Sequence, residues 1–438
     1  MKTSDKFISE KFNINPRIVE FVETCEDMLK DKFAEIDEVR AYNHYRVLKA
    51  MHDVGISERH FNWMTGYAHD DVGKEAVENV YANVFGTEAA IVRPGVVNGT
   101  HAIAICLFGI LRPGDEFIYA SGAPYDTMEE IIGIHGIGQG SLADYGIIYK
   151  KVNLTDDGGI DYETLAETIT TRTKMVCLQR SVGYEWRRSL TVEEIGRCAD
   201  FIHVLNDDIV VMVDNCYGEF VGLKEPTEAG ADICAGSLIK NPGGGLALTG
   251  GYVCGRQDLV DMVSYRLTCP GIGSDSAVTF GQNRNILQGL FQAPQVVSAA
   301  MRGAILCGLC YKKAGYEINP HTDDPPGSII QAVRLHNPDK VKAFCNAVQS
   351  VGPVDYFVMP VEDEMPGYED KVIMAAPSFV QGSSIELSAD APMRAPYTVF
   401  FQGGLTYDHS RLGVMASLDK IIEIDRKFDD GKQKTKNK

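Results

Sequence analysis

The sequence predicts an α/β fold, a mostly parallel sheet flanked by helices, with a smaller α+β C-terminal domain behind it. Three observations carry that expectation. Helical and short apolar strand segments alternate from Gly73 to Asp214, which is the order of a sheet covered by helices on both faces. The run IVVMV, ending at Asp214, has the continuous apolar character of a buried strand. Beyond residue 294 the pattern changes to strand signals with fewer helices.

From the N-terminus, Val19, Val22, Cys25, Leu29 and Phe33 recur at helical spacing. They predict one long amphipathic helix from Pro16 to about Met51, packed across a partner or the main domain. A helix from Lys74 to Phe85 leads to the strand AAIV, then a helix from Thr100 to Leu111, the turn RPGD and the strand EFIYA. A helix after Pro124, the strands GIIYKKV and KMVCLQ, and a helix from Val192 precede IVVMV. After the strand GYVCG, the Gly, Ser and Pro residues of 270–294 predict a long surface segment. A helix from Pro294 to about Ala314 opens the last part. There SIIQAVRL, KVIMAA, SIELSA and YTVFFQG are strand candidates, with helices near Lys340 and after His409. The expected domains are 1–60 (helical), 61–293 (large), 294–427 (small) and a solvated tail, 428–438.

With 438 residues, 45% of them hydrophobic, the chain can bury a full core. A formal charge of -18 disfavours nucleic acid and anionic membrane, which attract Lys and Arg. No stretch has the order of a signal peptide, and none is an uninterrupted apolar span of about 20 residues. Eleven scattered cysteines suit a reducing compartment. The expectation is therefore a cytoplasmic protein. Cys307 and Cys310 have redox or metal spacing, but no second pair or nearby His completes a site, so they are read as core residues and no metal is expected.

Four passages carry chemistry. In SLIKNPGGG, Lys240 stands between an apolar approach and three glycines, the setting of a desolvated amine of lowered pKa that acts as a nucleophile. A surface lysine before a flexible turn reads the same way. Asp214 ends a buried strand at the edge where parallel sheets bind ligands. It could hold Mg²⁺ in a nucleotide hydrolase, although no phosphate loop of that kind is present, or pair with a protonated pyridine nitrogen. Gly99 and Thr100 open a helix after a strand, with Thr100 as a cap, and free N–H groups there suit a phosphate. Helix starts of this type are also common without a ligand. Tyr125 could stack on a flat ring or simply pack in the core. The glycines of GIHGIGQGS follow a helix and precede a strand, the reverse of a dinucleotide fingerprint, so 136–140 is read as a mobile loop near the site mouth.

Taken in order, these passages resemble the pyridoxal-phosphate enzymes of the aspartate-aminotransferase fold (fold type I). Within it the chain is most similar to the cysteine and methionine metabolism branch, and there to the methionine gamma-lyase family, also called aluminium resistance proteins. The resemblance runs over nearly the whole chain and rests on GYAHDDVGKEAVENVYANVFGTEAAIVRPG, VDNCYGEF, SLIKNPGGG and FFQGGLTYDH. It implies a Schiff base of pyridoxal phosphate on Lys240, with Asp214 on the pyridine nitrogen and Tyr125 stacked on the ring. Gly99, Thr100 and the Ser237 hydroxyl would take the phosphate. Tyr67 would reach the neighbouring subunit's cofactor, while His69 stands where the family has Arg. Arg284 or the segment 271–276 could supply that charge instead. Arg394 would grip the substrate carboxylate.

The function so implied is a carbon–sulfur lyase acting on a sulfur-containing amino acid. An aminotransferase and a non-catalytic cofactor-binding protein are the alternatives. A homodimer or homotetramer with shared sites is expected.

Overall fold

The structure is a computed structural model that describes residues 2–67, 71–136 and 138–436, with side chains in the last helix to Arg426. The elements are α1 (Thr3–Lys11), α2 (Pro16–Met28), α3 (Lys30–Val54), α4 (Val72–Phe85), β1 (Ala89–Arg93), α5 (Gly99–Ile110) and β2 (Glu116–Tyr119). There follow α6 (Glu129–Ile132), β3 (Ile148–Lys151), α7 (Tyr162–Thr168), β4 (Thr173–Gln179), α8 (Val192–Leu205), β5 (Val210–Asp214), β6 (Ile233–Ser237) and β7 (Gly251–Gly255). The remainder comprises α9 (Gln257–Leu267), α10 (Asn283–Lys313), β8 (Glu317–Asn319), β9 (Gln331–Arg334), α11 (Pro338–Ser350), β10 (Val372–Ala375), β11 (Ser388–Pro392), β12 (Thr398–Gln402) and α12 (Tyr407–Lys436).

The chain divides into two compact units, Val39–Gln295 with Pro325–Ser328, and Met1–Glu38 with Val296–Asp324 and Ile329–Lys438. In the larger unit a seven-stranded sheet runs β1-β7-β6-β5-β4-β2-β3. Strands β2 to β6 pair in parallel, whereas β7 is antiparallel to both β1 and β6. One core cluster of this unit lies between α5, α9 and the sheet, with Leu107, Phe117, Met212 and Val253 fully or nearly buried. In the second unit an antiparallel sheet, β10-β11-β12-β9-β8, shares a core with α2, α11 and α12. Arg411 of α12 ion-pairs with Asp5 and Glu26, which fixes that helix to α1 and α2.

Several expectations change. The single helix from Pro16 to Met51 is broken at Leu29, whose N–H bonds to Glu26 O and whose side chain enters the core of the second unit. Residues 1–60 are consequently divided between the units. Strand β6 carries no sequence signal because ICAGS is short and small-residued, although every residue of it is buried. The supposed surface segment 270–294 turns into α10 at Asn283, with Pro294 inside the helix. Pro294 looked like a helix start because it has no N–H to donate. The packing of Leu287, Leu290 and Ala293 carries the helix through it. Helix α10 is long and apolar enough to cross a membrane by composition, but its most apolar window is 83% buried, as in a core helix. Strand β11 begins only at Ser388, late in SIELSA, and α12 continues into the expected tail. Cys307 and Cys310 lie in the core of the second unit, where burial pushes both thiols up.

Behind the sheet end of the larger unit is a buried polar layer. Tyr252 Oη donates to Glu219 Oε1 at 2.7 Å, while Glu219 Oε2 is buried without a partner among the described residues. Gly236 leaves the space, since a Cβ there would come within 2.8 Å of Glu219 Oε1. Burial pushes the Glu219 carboxyl up to about 8. An acid whose folded pKa exceeds its unfolded value of 4.5 stabilises the fold fully below 4.5 and loses that contribution as pH rises towards 8. Glu219→Gln should remove this loss. Unfolding free energies from urea titrations between pH 5 and 8 should fall less in the variant, by on the order of a few kcal/mol across the window. Equal slopes would show that Glu219 is ionised in the folded protein.

Candidate active site

Strand β5 carries Asp214 to the carboxyl edge of the sheet, between Gln179 of β4 and Ala235 of β6 in register. Its side chain is buried and accepts the N–H of Cys216 at 3.1 Å. Burial pushes the carboxyl up, opposed by Lys240, the Cys216 N–H and Arg187. A carboxylate so placed is poised to meet a second cationic partner.

Lys240 lies three residues beyond Ser237, the last residue of β6. Its Nζ sits 4.1 Å from the ring centroid of Tyr217, a cation–π contact. Tyr217 holds this position in a left-handed backbone conformation, φ 69°, uncommon for a residue with a side chain. The expected lowered lysine pKa is corrected. Burial does push it down, but Cys216, Tyr217, Asp214 and Glu219 outweigh burial and hold the ammonium above its usual range. The glycines that follow are not a flexible turn. A Cβ at Gly243 would run into Leu238 O, and one at Gly289 of α10 into Gly243 O, so the loop is packed backbone on backbone.

Helix α5 begins beside this group. A Cβ on Gly99 would lie 3.2 Å from Cys216 Sγ and 3.3 Å from Ser237 Cβ. The cap is Asn98 and not Thr100, because the Asn98 side chain accepts from His101 N–H at 2.8 Å. Thr100 falls in the first turn, its hydroxyl 3.0 Å from that of Thr127. First-turn N–H groups, those of Gly99 and Thr100 among them, have no acceptor within the helix, which suits an anion.

On the other side, Tyr125 precedes a short 3₁₀ turn and contacts Tyr184, ring centroids 6.2 Å apart. A Cβ on Gly183 would touch the Tyr125 ring and Gln179 Nε2, each at 3.1 Å. Gln179 Oε1 is buried with no partner among the described residues. Arg187 closes the loop after β4, donating to the carbonyls of Gln179, Ser181 and Arg188.

The structure thus brings Lys240, Asp214, Ser237, Gly99 and Thr100 to one sheet edge, with Tyr125 in the loop region beyond β4. Tyr67 is 78% exposed on a segment whose backbone bonds to 277–281, and His69 lies outside the described residues. Arg284 stacks over the Phe61 ring. Carbonyls of Ser274 and Ser276 are occupied by Lys74 and Arg93. Arg394 belongs to the other unit, where it is exposed and paired with Asp370 at 3.0 Å. Sequence reasoning missed Tyr217, Glu219 and Arg187. The first two stand within VDNCYGEF, close enough to Asp214 to have been found.

Known proteins share this architecture. YnbB of Bacillus subtilis (strain 168) is 47% identical over 390 residues, 89% of this chain and 93% of that protein. A crystal structure from Clostridium acetobutylicum superposes with a TM-score of 0.93 at 46% identity, covering 96% of this chain and 99% of that one. Another from Clostridium novyi NT, described as a carbon–sulfur lyase involved in aluminium resistance, gives 0.92 at 44%, covering 96% and 100%. The pyridoxal-5'-phosphate-dependent protein YhfS of Escherichia coli, at 16% identity and a TM-score of 0.57 over 87% of this chain and 96% of that one, shares the fold. The family model described as methionine gamma-lyase matches residues 18–422. The chain belongs to the methionine gamma-lyase family and has the fold type I architecture.

Proposed function

We propose that the protein is a pyridoxal-phosphate-dependent carbon–sulfur lyase acting on a sulfur-containing amino acid, with Lys240 holding the cofactor. The observation that carries this reading is the convergence at one sheet edge of the buried Asp214 at the end of β5, Lys240 three residues beyond β6, and the start of α5 packed against Ser237 and Cys216. Amine, carboxylate and anion-binding helix start are the donor set that the cofactor requires, and the unpartnered Gln179 Oε1 leaves an acceptor for a further polar group. When bound, pyridoxal phosphate supplies an electron-withdrawing ring that makes the substrate Cα–H acidic. Asp214 would keep the ring nitrogen protonated by offering it a carboxylate. Gly99 and Thr100 N–H, with the Ser237 hydroxyl, would hold the phosphate, and Tyr125 would cover the ring. Lys240 Nζ, freed when substrate binds, would take the proton from Cα and then give a proton to the sulfur that leaves as the carbon–sulfur bond breaks. The Tyr217 face would orient that amine. The relative from Clostridium novyi supports carbon–sulfur cleavage as the outcome.

The assembly follows the same reading: a homodimer or homotetramer in which Tyr67 serves a neighbouring subunit's cofactor. Trp63, Tyr67, Val278 and Phe280 are exposed on backbone segments bonded to one another, an ordered apolar surface of the kind that interfaces cover.

Lys240→Ala should abolish the visible absorbance of the purified protein and its release of thiol, ketoacid and ammonia from an amino-acid panel. Product without thiol release would point to transamination, and absorbance without any product to a binding protein. Asp214→Asn should retain cofactor yet lose roughly 10²-fold or more in rate, since a neutral partner no longer holds the ring proton. Full activity would remove Asp214 from the chemistry. Tyr67→Phe should weaken cofactor retention while leaving the melting temperature of cofactor-free protein unchanged. Mixed with Lys240→Ala protein under conditions of proven subunit exchange, it should regain activity, because one site then has both native residues. No regain would sink the shared site.

A further inference from the structure

Arginines drawn into the larger unit are matched with carboxylates. Arg46 faces Glu225 and Glu228, Arg93 faces Glu78, Arg180 faces Glu225, and Arg188 faces Glu194. Arg187 departs from this pattern. It is half-buried, and its guanidinium donates to three backbone carbonyls, Arg188 O at 3.0 Å, Gln179 O at 3.1 Å and Ser181 O at 2.5 Å. Among the described residues no carboxylate reaches ion-pair distance, and Glu185 and Asp214 act on it only at longer range. Burial pulls its pKa down to about 10, so the group is charged at neutral pH. Carbonyl dipoles orient a cation but do not neutralise it, and a partly desolvated charge without a counter-ion is poised to receive an anion. Of its five N–H donors, Nε–H and one on Nη1 have no acceptor among the described residues.

Position separates this anion from the phosphate. Strands β6, β5 and β4 lie side by side. Ser237 and the start of α5 flank Asp214 on the β6 side, whereas the carbonyls holding Arg187 follow the end of β4, on the opposite side. The two anion sites therefore bracket Asp214, about one strand spacing to each side.

We propose that Arg187 receives the α-carboxylate of the amino-acid substrate. The inference rests on the reading of this edge as a cofactor-dependent amino-acid site. It places the carboxylate grip on the loop after β4, within the same unit as Lys240, and leaves Arg394 to its pair with Asp370. A guanidinium whose orientation is set by three carbonyls costs little to organise when the anion arrives.

The test uses cofactor-loaded protein, with wild type, Arg187→Gln and Arg394→Gln compared for binding of an amino acid and of its carboxamide. Wild type should prefer the acid. Arg187→Gln should lose about 10- to 100-fold in affinity for the acid and little for the amide. KM should rise more than kcat falls, with cofactor content and melting temperature retained. A merely structural tie would leave the preference for acid over amide unchanged. Because Arg187→Gln could fail to fold, wild-type protein is also treated with phenylglyoxal and the modified arginines mapped by mass spectrometry. The amino acid, but not its amide, should protect Arg187. Equal protection by both, an unchanged acid preference in Arg187→Gln, or loss of that preference in Arg394→Gln alone overturns the proposal. Wild-type protein that takes up no cofactor overturns the site reading itself, which separates that failure from this one.

Discussion

The site depends on β5 and β6 lying side by side in parallel, which carries the Asp214 carboxyl and the Lys240 amine to one edge of the sheet. Each group alone would be driven towards neutrality by burial. Lys240 and the Cys216 N–H oppose the burial that raises the Asp214 carboxyl, and Asp214 is among the groups that raise Lys240. The register sets Asp214 opposite Ala235, near the end of β6 from which the chain runs on to Lys240, so the alignment of two strands decides where both groups emerge.

The surrounding buried groups follow from that charge. Tyr217 accepts a strained backbone angle to lay its ring against the ammonium, and Glu219 sits one layer deeper, bonded to Tyr252. Arg180, Asn215 and Glu225 form a second buried network beneath VDNCYGEF. Removing one member of such a network leaves the others unpaired in a poor dielectric, so the segment is resistant to piecemeal change. The passage between β5 and β6 is thus held by polar contacts as much as by apolar packing.

Legibility in the sequence tracked the strength of local signals. Asp214 was readable because five apolar residues precede it, and Lys240 because three glycines follow it. Both signals are consecutive in the chain. Strand β6 has neither β-branched runs nor alternation, only burial between β5 and β7, which is a tertiary fact. Arg187 stands in YEWRRSL beside a second arginine, and nothing in that spelling tells which of the two finds a carboxylate. Only the fold separates Arg188, paired with Glu194, from its neighbour. The helix cap was misplaced by two residues for a similar reason. Asn98 and Thr100 are both good caps, and the backbone chose the one already extended.

The contact of Gly243 with Gly289 has a consequence for how this family can vary. A Cβ on Gly289 would strike Gly243 O, and one on Gly244 would strike Gly289 O, so a side chain added to either segment needs the backbone of the other to move. The loop carrying Lys240 and the opening turns of α10 must therefore be inherited as a matched pair. In a chimera that grafts the lysine loop from a distant relative, the part to transplant with it is a stretch of helix more than forty positions downstream.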